Sequence, residues 1–128
     1  MSKPSKAARS APTIDHLVLR CSDIEVTRRF YERLGLSFET EQHGSGPVHY
    51  TTVLGETVVE LYPATDSRPP ERGLRVGVAV EDVASTLGSP TECSGTVYSK
   101  PEAIVNDPDG RVVVLVQRTD RLQPIVAG

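Results

Sequence analysis

The chain has 128 residues, a net charge of −3 and a pI near 5.6, enough for one domain and too acidic for a nucleic-acid surface, which needs a basic stripe. It contains no run of about 18 apolar residues, so no membrane-spanning helix is expected. Trp is absent and only two Phe and four Tyr are present, leaving little material for a groove of stacked aromatic walls.

Residues 1–12, with Lys3, Lys6 and Arg9 among Ser, Ala and Pro, read as a disordered leader with no apolar stretch of signal-peptide length. Residues 13–20 alternate and are rich in branched side chains, which predicts a first strand. Ser22 with Glu25 three residues on has the pattern of a capping box, opening a helix that presents Val26, Phe30 and Leu34 at intervals of four and stops at Gly35. A second strand is expected over 37–43, ending at Gly44-Ser45-Gly46-Pro47. Residues 48–54 and 57–62 predict a hairpin about Gly55-Glu56, with glycine at the first central position favouring a type II′ turn. The polar stretch that follows, with Pro63, Pro69 and Pro70, reads as a connection.

The order then begins again. Residues 75–80 predict a strand and 83–87 a short helix before Gly88 and Pro90. Weaker strands are expected over 96–99 and 102–105. Asn106-Asp107-Pro108-Asp109-Gly110 is a turn, and 111–118 form the last strand. Residues 119–128 read as a tail in which Leu122, Ile125 and Val126 have the character to dock. Two cysteines, Cys21 and Cys93, match no zinc or redox spacing and read as reduced thiols of a cytoplasmic protein.

The two halves are one plan written twice. Ile14-Asp15-His16-Leu17-Val18-Leu19 and Leu74-Arg75-Val76-Gly77-Val78-Ala79 each run into an acidic helix start seven residues after a polar residue, His16 or Arg75. Each copy closes on an apolar strand, carrying Glu60 in the first and Val114 in the second. The expected organisation is a module over 13–63, a linker over 64–73 and a second module over 74–118. The class is α+β: two tandem βαβββ units in a mainly antiparallel sheet with helices on one side.

Strand alternation sorts the faces. A two-residue loop at Gly55-Glu56 sets Leu54 opposite Thr57, Thr51 opposite Glu60 and His49 opposite Tyr62. One side of the hairpin then carries His49, Thr51, Val53, Val58, Glu60 and Tyr62. In the first strand His16 shares a side with Val18 and Arg20. A carboxylate such as Glu60 in an apolar strand is costly to bury alone, so this side is expected to line a cavity or meet solvent. His43, beside a glycine-rich turn, reads as solvated. With Arg75 at one end and His16 and Glu60 at the other, the pocket suits a small anionic or oxygenated organic molecule, bound by Arg75, His49, Thr51, Tyr62 and Val114. The pair His16 and Glu60 has the character of a general acid and base.

Four of these segments, in order, carry a resemblance: 14–19, Phe30-Tyr31-Glu32-Arg33-Leu34-Gly35-Leu36, Val59-Glu60-Leu61-Tyr62, and Asn106-Asp107-Pro108-Asp109-Gly110 leading into the last strand. Together they resemble the vicinal oxygen chelate superfamily, which includes glyoxalase I, bleomycin-resistance proteins and extradiol dioxygenases. The resemblance implies sheets curled into a cup, a homodimer, and metal ligands drawn from the first and last strands of each module. His16 and Glu60 occupy two of those positions; Arg75 and Val114 occupy the others. A catalytic metal generally needs three protein ligands, so the expectation is a ligand-binding protein without a cofactor. The alternative is a metal-dependent lyase, isomerase or dioxygenase holding Zn, Ni, Mn or Fe on His16 and Glu60, with His49 as a third ligand.

Overall fold

The structure is a computed structural model that describes residues 11–88, 95–97 and 100–118. Most of the leader, all of the tail, Cys93 and the end of the predicted 96–99 strand lie outside the described residues.

Module one runs β1 (His16–Cys21), α1 (Ile24–Arg33), β2 (Glu39–Glu41), β3 (His49–Leu54) and β4 (Thr57–Pro63). Module two runs β5 (Arg75–Val80), α2 (Val83–Leu87), β6 (Gly95–Val97), β7 (Lys100–Asn106) and β8 (Val112–Gln117). Each forms a four-stranded mixed sheet of the same order, β1-β4-β3-β2 and β5-β8-β7-β6. The first strand of each module pairs in parallel with its last (β1 with β4, β5 with β8), while the hairpin pairs are antiparallel. The βαβββ repeat read from the sequence is therefore the architecture.

The predicted hairpin register holds, with Leu54 opposite Thr57 and Thr51 opposite Glu60. Gly55 takes φ +61, the positive value a primed two-residue turn needs at its first central position. β2 is shorter than predicted. Phe38 instead packs against the core and meets the Tyr50 ring edge-on at 6.5 Å, and Gln42 spends its amide on the Gly46 carbonyl.

The capping box at Ser22 does not form. Asp23 is the N-cap, its carboxylate accepting from the backbone N–H groups of Glu25 and Val26. Ser22 donates its hydroxyl to Asp109 of module two, which removes it from the helix. α2 starts at the equivalent Asp82, without a side-chain cap bond, and ends at Gly88 in the left-handed region.

The core lies on the side opposite the polar row. Leu19, Val59 and Leu61 pack with Tyr31 of α1 and with Leu34 at its C-cap, and Ala103, Val113 and Leu115 with Val83 of α2, in one continuous cluster. Val76 and Val78 of β5 share an apolar hollow with Leu17 and Leu19 of β1, which joins the two halves.

A buried charge cluster completes the joint. Arg111 is fully buried, and its guanidinium reaches Asp107 at 3.2 Å, Asp109 at 3.6 Å, Glu71 at 3.2 Å and the carbonyl of Arg20. Asp107 also accepts from the Tyr31 hydroxyl at 2.8 Å. Asp109 accepts from the Ser22 backbone N–H at 3.1 Å. The turn at 106–110 is thus more than a reversal: its carboxylates reach the end of β1 and the inner side of α1. Glu71, read from the sequence as part of a connection, latches the Arg20 N–H at 3.0 Å.

Candidate ligand-binding face

The ladders place one continuous row of side chains on the outer side of the first sheet. Val18 stands opposite Glu60, Glu60 opposite Thr51, and Thr51 opposite Glu39. The neighbouring row links Arg20, Tyr62, His49 and Glu41, with Arg20 opposite Tyr62 and Glu41 opposite His49. His16 opposite Val58, with Val53, forms the third.

The second row is a stack. The Arg20 guanidinium lies 4.9 Å above the Tyr62 ring, and Tyr62 lies 4.0 Å from His49 with the rings inclined by 12°. His49 is 1% exposed, and its Nε2 faces Glu41 at 3.1 Å and Glu60 at 3.6 Å. Partial burial, and then the Glu60 carboxylate, raise the Tyr62 hydroxyl above its ordinary value of 10.0. The face is therefore graded. Glu39 and Glu41 make the β2 edge acidic, Glu60 stands on β4 between that edge and β1, and Arg20 places a positive charge on β1. Arg20 forms no ion pair with a described residue.

His49, Thr51, Glu60 and Tyr62 are thus brought onto one face with direct His49 contacts. His16 lies on the same face, but it is 59% exposed and its Nδ1 meets Asp15 at 3.0 Å. Among the described residues no ion pair joins His16 to Glu60. Arg75 and Val114 share the corresponding face of the second sheet, where Arg75 stands opposite Val112 and Gly77 opposite Val114. Arg75 is exposed and Val114 buried. The row Val18-Glu60-Thr51 of module one becomes Gly77-Val114-Ile104 in module two, a polar row rewritten as an apolar one.

Sequence reasoning gave no role to Arg20 or Glu41 and set His43 aside as solvated. The signal for Glu41 was alternation within the predicted second strand, which puts Glu39 and Glu41 on one side. His43 lies next to them, its Nε2 3.4 Å from Glu41. The metal positions implied by the resemblance carry two donors, His16 and Glu60. Arg75 and Val114 supply none, because a guanidinium has no lone pair to give and an isopropyl group has no donor atom. The donor set therefore does not fit a resident metal of that kind.

Two sheets of this order, each a βαβββ unit with its helix on the core side, define the glyoxalase type of fold. The family model "Glyoxalase/Bleomycin resistance protein/Dioxygenase superfamily" matches residues 13–115, and the chain belongs to that superfamily. Its fold is similar to that of TnmS3, an antibiotic binding protein from Streptomyces sp. CB03234, at 22% identity, covering 86% of this chain and 98% of that one, with a TM-score of 0.66. A superfamily member from Sphaerobacter thermophilus DSM 20745 is 21% identical over 84% of this chain and 98% of its own, with a TM-score of 0.63. SMU.1112c is 28% identical over 84% and 100%, with a TM-score of 0.62. No curated protein matches the chain.

Proposed function

We propose that the chain binds a small anionic or oxygenated organic molecule on the outer face of the first sheet, without a resident metal at the superfamily positions. The carrying observation is the Arg20 guanidinium, held over the Tyr62 ring and lacking an ion pair among the described residues. A half-buried guanidinium ordered in this way is a fork for a carboxylate or enolate oxygen. Glu60, 17% exposed, is an acceptor for a hydroxyl or amine on the same molecule, and Val18, Val53 and Val58 meet its apolar body. The similarity of its fold to that of TnmS3, an antibiotic binding protein, supports this class of ligand.

A second copy of the chain is proposed to close the site. Val53, 63% exposed, and Ile104, 47% exposed, lie on the two outer faces and need cover. Arg75 then offers a second anion contact. Sedimentation of the full chain as a dimer is expected, and a monomer at all concentrations removes this part of the proposal.

The ligand test is a thermal-shift screen of small carboxylates and their amides, followed by calorimetry on the best pair. Arg20→Ala and Arg75→Ala are each expected to weaken the carboxylate about tenfold more than the amide, the size of one charge-assisted hydrogen bond. Equal losses for both compounds, or no binding by any carboxylate, would sink the reading.

A further inference from the structure

At the acidic edge of the face, the Glu41 carboxylate and the His43 and His49 imidazoles bring three ligand atoms within 4.8 Å of one another. We propose that these three residues form a divalent transition-metal site, separate from the positions of His16 and Glu60 and independent of the organic-ligand reading above.

The spacing is that of a coordination shell before the ion arrives. Zinc bonds of about 2.0–2.1 Å in a tetrahedron hold neighbouring donors about 3.3–3.4 Å apart. Here Glu41 Oε1 is 3.1 Å from His49 Nε2 and 3.4 Å from His43 Nε2. The third separation closes by rotation of His43, whose side chain is 72% exposed.

Both ring nitrogens of His49 face acceptors: Nδ1 lies 3.3 Å from the Pro47 carbonyl, and Nε2 lies 3.1 Å from Glu41 and 3.6 Å from Glu60. With the hydrogen on Nδ1, the Nε2 lone pair and the two carboxylates converge on a point where a cation would be held. A backbone carbonyl on the far nitrogen is the usual outer support of a metal-bound imidazole.

The connecting turn fixes the approach of the two histidines. The Gly46 N–H donates to the His43 carbonyl at 2.9 Å, and a Cβ on Gly46 would come within 3.1 Å of that oxygen. His49 is buried while His43 and Glu41 reach solvent, which gives the ion an entry path. Two imidazoles and one carboxylate favour zinc, nickel or copper over magnesium or calcium. Three protein ligands leave one position open, on a face where Glu60 stands beside His49.

Zinc alone, with the full chain, is the probe. Equilibrium dialysis is expected to give one zinc per chain at micromolar metal, and excess magnesium is not expected to displace it. Cobalt(II) in its place is expected to show the visible absorption of a four-coordinate ion. His43→Ala and Glu41→Gln, both at solvent-reaching positions, are expected to lose stoichiometric binding, and His16→Ala to keep it. Three outcomes overturn the proposal: no zinc bound by the wild type, binding unchanged in both variants, or binding lost with His16→Ala instead. The first means that a proton fills the gap between His49 and its carboxylates. None of these bears on the carboxylate–amide comparison, so the two proposals fail separately.

Discussion

Burial of Cys21 at the end of β1 pushes its thiol up to about 11, because desolvation of the thiolate outweighs the Thr27 hydrogen bond and the Arg111 charge. The folded chain therefore holds this proton more tightly than the unfolded chain, whose thiol keeps its ordinary value of 9.0. The resulting stability is complete below pH 9.0 and is lost as pH rises to about 11, a loss of about 2–3 kcal/mol. Tyr31, buried against Asp107, is raised as well and acts in the same sense at higher pH. Urea midpoints on either side of this window are expected to fall less in Cys21→Ala than in the wild type. An identical alkaline slope in the two proteins would show that the thiol does not contribute. The same burial makes Cys21 slow to react with thiol reagents until the chain unfolds.

Among the elements, the two helices begin at equivalent aspartates that do different work. Asp23 accepts two backbone N–H bonds, whereas Asp82 makes no side-chain cap bond. Asp23→Ala is expected to cost about 1 kcal/mol in denaturant midpoint experiments, and Asp82→Ala only a few tenths. Equal costs would mean that charge near the helix start, rather than the cap bond, sets the effect. Element order and hairpin register were legible because alternation and Gly55-Glu56 are local signals. The cap at Ser22 was misread because its competitor, Asp109, lies 87 residues away. At the site, alternation placed His49, Thr51, Glu60 and Tyr62 on one face. It could not show which side chains touch across strands, so the His49 contact with Glu41 and the Arg20–Tyr62 stack became visible only with coordinates.

For the whole molecule, the joint between modules rests on Arg111 as much as on shared apolar surface. One guanidinium serves Asp107, Asp109 and Glu71 and a backbone carbonyl of β1. Removing one partner of a buried charge group leaves the others uncompensated, at about 3–5 kcal/mol. Arg111→Met is expected to lower stability by that amount and to loosen β1 and the start of α1 together in hydrogen exchange. Loosening confined to the 106–111 turn would show that the cluster serves module two alone. The repeat itself was readable from sequence. The joint was not, because Asp107-Pro108-Asp109-Gly110 satisfies a turn so completely that nothing local signals a second duty.

The same arrangement constrains the order of events during synthesis. Asp107 must leave the ribosome before the Tyr31 hydroxyl can acquire its partner, and Arg111 before the carbonyl of Arg20 can. Until then the N-terminal half has its helix and sheet but lacks the counterparts that seal the end of its first strand. Maturation of that half therefore waits on the turn that leads into β8 of the second module.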